Sequence, residues 1–201
     1  GLMPRLRKRR VLDSGELDAL EKQVYRGLLA APDSDPADRW QRVPRRYRND
    51  PAFLLSYVDG LIAGNRVAEA EALLRKAIRR DWNEALVRRY GLLQADDAAA
   101  QLQAAEAWLK KYGEEPALLV TLGRLSMREE LWGKARGYFE KAVEQEPDAE
   151  VYALLVDCLN RMGEHEAAGA VSQQALARLL ADGRGLQVWT PPAEAPGAGV
   201  L

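Results

Sequence analysis

The sequence contains few of the residues that most enzymes use for chemistry. Its 201 residues include one cysteine, Cys158, and one histidine, His165. A single cysteine excludes an internal disulfide framework and fits a reducing compartment, and a single histidine excludes a dyad of two histidines. Glycine-rich phosphate loops, serine elbows and paired carboxylate motifs are also missing. We therefore predict no catalytic residue and no metal site, with Cys158 in the core and His165 in a turn.

The chain also lacks a strong excess of charge and a long apolar run. Its formal net charge is −1, which gives no overall attraction to nucleic acid or to membranes. There is no signal peptide and no stretch of about 18 apolar residues. A basic segment, Arg5 to Arg10, is either a solvated face or a contact with anionic lipid or an acidic protein. Because the aromatic residues that single-strand binders use are absent there, we expect no nucleic-acid partner.

A helical repeat is the clearest feature that is present. Counted from Pro116, seven residues occupy signature positions of the tetratricopeptide repeat: Leu119, Leu122, Gly123, Ala135, Phe139, Ala142 and Pro147. The small residues Gly123 and Ala135 are expected where the two helices of the hairpin approach most closely, and Phe139 fills the seam.

The same pattern recurs along the chain. The small residue that marks position 20 appears as Ala70, Ala104, Ala135 and Ala168, at spacings of 34, 31 and 33 residues. These markers predict repeats near 51–82, 83–114, 116–147 and 149–182. The unit around Ala104 is degenerate: we expect its first helix over Glu84 to Gln94 and a shortened turn between its two helices.

The predicted fold is therefore all-α, a tetratricopeptide-repeat array of three to four helix hairpins in one domain, residues 1–182. Residues 1–49 form N-terminal helices, of which the first carries Leu17 to Leu29 behind an Asp13-Ser14 cap. The tail 183–201 is rich in Pro, Gly and Ala, so we expect it to be disordered, with Trp189 able to dock onto the last helix.

Repeat geometry also predicts a binding surface. The first helices of such an array line its concave face, at positions 2, 5, 9, 12 and 13 of each unit. The candidate partner-binding residues are Leu55, Asp59, Ile62, Val120, Arg124, Met127, Arg128, Asp157, Asn160 and Arg161. Arg124, Arg128 and Arg161 are expected on one wall, where they would attract an anionic partner. The Lys and Asn of the carboxylate clamp in chaperone-binding repeats are absent from positions 5 and 9.

Residues 3–182 resemble the C-terminal half of the HemY family, tetratricopeptide-repeat membrane proteins of proteobacteria encoded alongside haem-biosynthesis enzymes. The order and spacing of four segments carry the resemblance: Leu6–Lys8 leading into Leu17–Leu29, Trp40–Pro44, Ala70–Ala77, and Leu122–Leu125 with Leu131–Ala135. The flavin-dependent protoporphyrinogen oxidase of the same name is a different protein, and its dinucleotide fingerprint is absent here.

The resemblance implies a role in a late step of protohaem biosynthesis, without known catalytic residues. Family members carry two N-terminal transmembrane helices, so the full-length protein is expected in the inner membrane. By the positive-inside rule, the basic stretch would place this domain on the cytoplasmic face. The start of the chain looks like the cut edge of a longer protein.

We accordingly expect a non-catalytic scaffold that binds protein partners, among them enzymes of haem biosynthesis. One alternative is a tetrapyrrole carrier, with His165, Cys158 or a tyrosine as axial ligand of haem. Another is a peptide-binding assembly factor without a connection to haem. No cofactor is required by the scaffold hypothesis.

Overall fold

The computed structural model describes residues 13–30 and 35–181. The predictions for the basic segment Arg5 to Arg10 and for the tail 183–201 lie outside these residues. Within them every regular element is a helix, which confirms the all-α prediction. The N-terminal part contains α1 (Ser14–Ala30), α2 (Pro36–Arg42) and a 3-10 turn (Arg45–Tyr47). Eight helices follow as four consecutive units: α3 (Pro51–Ala63) and α4 (Val67–Arg80), α5 (Glu84–Gly91) and α6 (Ala98–Tyr112), α7 (Pro116–Arg128) and α8 (Trp132–Gln145), α9 (Ala149–Arg161) and α10 (His165–Ala181).

Several helices begin where the sequence supplies a capping side chain. The side chain of Asp50 accepts a hydrogen bond from the backbone N–H of Ala52 at 2.9 Å, and Pro51 occupies the first turn. Asp148 caps α9 in the same way, accepting from Glu150 at 2.7 Å. Such caps satisfy backbone donors that have no partner inside the helix, and proline is tolerated there because its missing N–H is not needed.

The core is continuous because α7 is buried on nearly all sides. Leu118, Leu122 and Leu125 of this helix pack into a cluster with residues of α3 to α6. Leu119 and Val120 face the other way, into a second cluster with residues of α8 to α10. Each unit therefore contributes one layer to a stack, as expected for a repeat array.

The second unit differs from the sequence prediction. α5 ends at Gly91, not at Gln94, and the connection to α6 covers six residues, 92–97, where the other three units have three. The prediction of a shortened turn is wrong: the helix is shortened and the turn is lengthened. The reason is tertiary, because Leu93 leaves the helix and is buried in the core, 2% exposed. α5 instead packs closely on α7, where a Cβ atom on Gly91 would lie 2.9 Å from Oγ1 of Thr121.

The N-terminal helices α1 and α2 pack against α3. Leu29 of α1, Val43, Tyr47 and Phe53 form a small third cluster. The rings of Tyr47 and Phe53 are stacked at a centroid distance of 5.3 Å. The N-terminal part thus packs on the first repeat through a core cluster of its own.

Candidate functional site

A cleft of about 550 Å³ opens between the first helices of the first two units. Its wall combines apolar side chains with two arginines and one aspartate: Leu55, Asp59, Ala85, Arg88, Arg89 and Leu92. We refer to this surface as the α3–α5 cleft. Because α5 stops at Gly91, Leu92 is not covered by a further helical turn and stays 47% exposed at the cleft. A large apolar side chain is thereby presented to solvent beside charged neighbours.

The charged residues in and beside the α3–α5 cleft form ion pairs across helices. Nη2 of Arg89 lies 2.5 Å from Oδ1 of Asp59, which joins α5 to α3. Nη2 of Arg88 lies 3.3 Å from Oε2 of Glu146, and Nη2 of Arg124 lies 2.5 Å from Oε1 of Glu150. Most of these groups are at least partly exposed, and such pairs contribute only about 0–1 kcal/mol each. These ion pairs therefore add little to the stability of the fold.

The predicted groove residues divide between surface and core. Leu55 and Asp59 line the α3–α5 cleft as expected. Ile62 is half-buried against the first core cluster and Met127 against the second. Val120 is 1% exposed, because α9 packs over position 5 of the third unit. Val120 is a core residue in this structure, and the prediction that it faces a partner is corrected here.

The three arginines expected on one wall have separate roles. Arg128 donates to the carbonyl oxygens of Leu93 and Ala95, both at 2.7 Å, and to Oε1 of Gln101 at 2.8 Å. Arg128 therefore fixes the 92–97 connection, and its guanidinium is not available to bind an anion. Arg161 lies over the ring of Trp132, with its guanidinium carbon 5.6 Å from the ring centroid.

The remaining predicted charges at this end are also occupied. Nε of Arg161 is 3.2 Å from Oδ2 of Asp157, one turn earlier on the same helix. Arg124 pairs with Glu150 of the next unit. Each guanidinium thus has acceptors of its own, and Arg128 is committed to the 92–97 connection.

The side chains considered as haem ligands do not fit that role in this structure. Cys158 is fully buried, with Sγ 3.4 Å from the carbonyl oxygen of Trp132, and burial raises the pKa of its thiol, which disfavours a thiolate ligand. His165 is exposed at the start of α10, where Nδ1 lies 3.1 Å from Oδ1 of Asn160. A tyrosine, Tyr152, does line an apolar cleft between α9 and α10, but its volume of about 290 Å³ is small for a tetrapyrrole.

Four residues of the α3–α5 cleft were not predicted from the sequence: Ala85, Arg88, Arg89 and Leu92. The second unit matches the repeat pattern poorly, so its positions cannot be assigned to the groove by counting. The available signal is the pair Arg88 and Arg89 followed by Gly91-Leu92, an apolar residue placed just after a helix-ending glycine.

In the described ranges no helix has the length and apolar character needed to cross a membrane.

Comparison with known proteins confirms the resemblance to HemY. The chain is 26% identical over 180 residues to protein HemY of Escherichia coli (strain K12), a match that covers 87% of this chain and 45% of that protein. The HemY protein of Shigella flexneri matches to the same extent. The chain thus spans less than half the length of the curated relatives it matches. No family model matches the chain.

Solved structures confirm the repeat fold. MamA 41-end from Desulfovibrio magneticus RS-1 aligns with a TM-score of 0.55 and 18% sequence identity, covering 82% of this chain and 98% of that one. A double mutant of MamA RS-1 aligns with a TM-score of 0.56 at 18% identity, covering 83% and 97%. At this level of identity the likeness concerns the fold alone. The chain is a tetratricopeptide-type helical array.

Proposed function

We propose that this domain is a non-catalytic scaffold of a HemY-type inner-membrane protein, and that it binds protein partners of a late step in protohaem biosynthesis. The α3–α5 cleft carries the proposal, because it presents an exposed leucine and two arginines on the face that repeat arrays use for binding. The similarity to HemY over 180 residues supports the link to that pathway.

The chemistry of the cleft favours an acidic amphipathic segment as the ligand. Leu55 and Leu92 offer an apolar strip, and Arg88 and Arg89 offer donors whose present partners, Glu146 and Asp59, are more than half exposed. A helix or extended segment with apolar and acidic residues would cover the leucines and take over the arginine contacts. Removal of Leu92 from water would supply most of the affinity and the charges most of the selectivity.

The domain acts in this proposal within a longer protein anchored in the inner membrane, with the repeats on the cytoplasmic face. Its role is to hold partners near one another, so the substrate chemistry belongs to those partners. We therefore expect the isolated domain to turn over no porphyrinogen above the rate without protein. Turnover by the isolated domain would exclude a scaffold without activity of its own.

The binding surface is tested by two matched substitutions in the full-length membrane protein, Leu92→Asp and Leu176→Asp. Both leucines are about half exposed, at 47% and 49%, but Leu176 lies at the far end of the array on α10. We expect Leu92→Asp to abolish co-purification of an enzyme of the pathway and Leu176→Asp to leave it unchanged. Equal recovery with both variants would refute the assignment of the cleft.

A further inference from the structure

Near the N-terminal end of the array lies a buried cation that has no counter-ion among the residues the structure describes. Arg39 of α2 is 5% exposed. Its guanidinium makes one hydrogen bond to the described residues, from Nη1 to the carbonyl oxygen of Leu29 at 2.8 Å. Nε is buried without a hydrogen-bond partner. Buried guanidinium groups are ordinarily paired with a carboxylate, because leaving such a charge uncompensated strongly destabilises the fold.

The bond to Leu29 compensates for part of this burial only. Leu29 lies in the last turn of α1, where carbonyl groups lack partners and the helix dipole favours a cation. That contact occupies one edge of the guanidinium. The opposite edge, formed by Nε and Nη2, is the one that binds a carboxylate through two parallel hydrogen bonds in Arg–carboxylate pairs. In Arg39 no acceptor among residues 13–30 and 35–181 lies on this edge.

The guanidinium lines a cavity of about 330 Å³ between α1, α2 and α3. The wall consists mainly of small and apolar residues: Leu29, Ala30, Arg39, Ser56, Asp59, Gly60 and Ala63. The Ser56 hydroxyl donates to the carbonyl oxygen of Ala52 at 3.0 Å, so it does not compete for the arginine. The volume is at the lower end of the range of small-molecule sites. It accommodates a short-chain acid or a terminal residue, and not a large ligand.

The charge balance of this cavity favours a monoanion. Asp59 is the one carboxylate among the described residues of the wall, and its Oδ1 is engaged by Arg89 at 2.5 Å. The remaining charge is therefore that of Arg39. A carboxylate would neutralise it, whereas a dianionic phosphate would leave excess negative charge beside Asp59. The planar shape of a carboxylate also matches the free edge of the guanidinium.

We propose that this cavity binds a carboxylate group, held by Nε and Nη2 of Arg39. The carboxylate comes either from a free short-chain acid or from the C-terminal residue of a peptide. The site does not depend on the scaffold function, although Asp59 lies on the walls of both this cavity and the α3–α5 cleft. A peptide that ends in the cavity would therefore lie close to the cleft.

The probes are butyrate and its uncharged isostere butyramide, titrated at constant ionic strength while the Nε–H resonance of Arg39 is followed by NMR. We expect a saturable shift with butyrate and none with butyramide. A second arm uses N-acetyl-Ala-Ala-Leu with a free or an amidated C-terminus. Binding of the free peptide at least ten times tighter than butyrate identifies a peptide terminus as the source, and equal or weaker binding identifies a free acid.

Two variants locate the site. Arg39→Gln removes the charge, and Arg80→Gln is the control, because Arg80 contacts Asn49 and lies away from the cavity. We expect butyrate to raise the melting temperature of the wild type and of Arg80→Gln, but not that of Arg39→Gln. If Arg39→Gln does not fold, the comparison of butyrate with butyramide in the wild type still tests the proposal. Equal shifts with acid and amide, or no shift with any acid, overturn the proposal.

Discussion

Gly123 of α7 lies directly against the ring of Phe139 of α8. A Cβ atom built on Gly123 would fall 2.3 Å from Cε1 of that ring, well inside any real contact distance. Both residues are fully buried, so the ring has little room to move. This contact sets how closely the two helices of the third unit approach, and it explains why the repeat has glycine at this position.

Gly123→Ala is therefore expected to destabilise the fold. Forcing one methyl group into a packed core typically costs about 1–3 kcal/mol, and the short distance places this site at the upper end. The measurement is urea denaturation followed by circular dichroism. Gly137→Ala is the matched control on α8, because a Cβ atom there meets nothing within 4 Å. Alanine at that position should stabilise the helix by about 0.5–1 kcal/mol, and a control as destabilised as Gly123→Ala would contradict the packing argument.

Arg128→Gln should loosen the 92–97 connection. The substitution removes the bonds to Leu93, Ala95 and Gln101, and hydrogen bonds from a charged donor contribute roughly 1.5–3 kcal/mol each, not additively. We expect a loss of about 2–4 kcal/mol and faster hydrogen exchange confined to residues 92–97. Arg161→Gln, which breaks an exposed pair with Asp157 and removes a cation from the face of the Trp132 ring, should change stability by about 1 kcal/mol or less. Equal losses would mean that Arg128 does not hold the connection.

The stability of the domain should fall at alkaline pH through Tyr47. Burial, together with the hydrogen bond from its hydroxyl to Asp18, raises the pKa of Tyr47 to about 12. Because the pKa of Tyr47 is higher in the folded state, its protonated phenol stabilises the fold fully below about pH 10, the pKa of the unfolded state. This stabilisation is lost as pH rises toward 12. The free energies of unfolding of wild type and Tyr47→Phe, measured by denaturation at pH 8 to 11.5, should converge as pH increases. Parallel curves would show that the phenol does not titrate differently on folding.

Much of the fold could be predicted because its determinants are local in sequence. Asp50-Pro51 and Pro116 mark helix starts by capping and by the fixed backbone of proline. Gly123 and Phe139 mark a helix crossing because the repeat places them at fixed spacing. These signals involve residues within one unit, so they survive in a single sequence.

The parts that could not be predicted depend on contacts between units. The early end of α5 follows from the burial of Leu93 and from Arg128, whose acceptors Leu93 and Ala95 are 35 and 33 residues away. The spacing of residues within α5 does not predict these contacts. The α3–α5 cleft arises from the same early helix end, and Arg39 is buried by packing between helices that the repeat pattern does not describe.

The charges of the cleft should add salt dependence to partner binding. Replacing Arg88 and Arg89 together with Gln leaves Asp59 and Glu146 without these partners, at a stability cost of about 1–2 kcal/mol at most. We expect weaker capture of the partner at low ionic strength and a smaller loss of capture when salt is added. Arg75→Gln on α4, which breaks an intrahelical pair with Glu71, serves as the control. An unchanged salt dependence in the double variant would leave Leu55 and Leu92 as the whole binding surface.

The most direct test of the central claim is site-specific photo-crosslinking in the full-length protein, expressed in its own cells. A photoreactive phenylalanine is placed at Leu92 in the α3–α5 cleft or at Leu176 on α10, positions of nearly equal exposure. The account predicts one dominant crosslinked protein from Leu92, identified as an enzyme of haem biosynthesis, and none of it from Leu176. The same products from both positions, or no product from Leu92, would contradict the claim that this cleft is where the scaffold binds its partner.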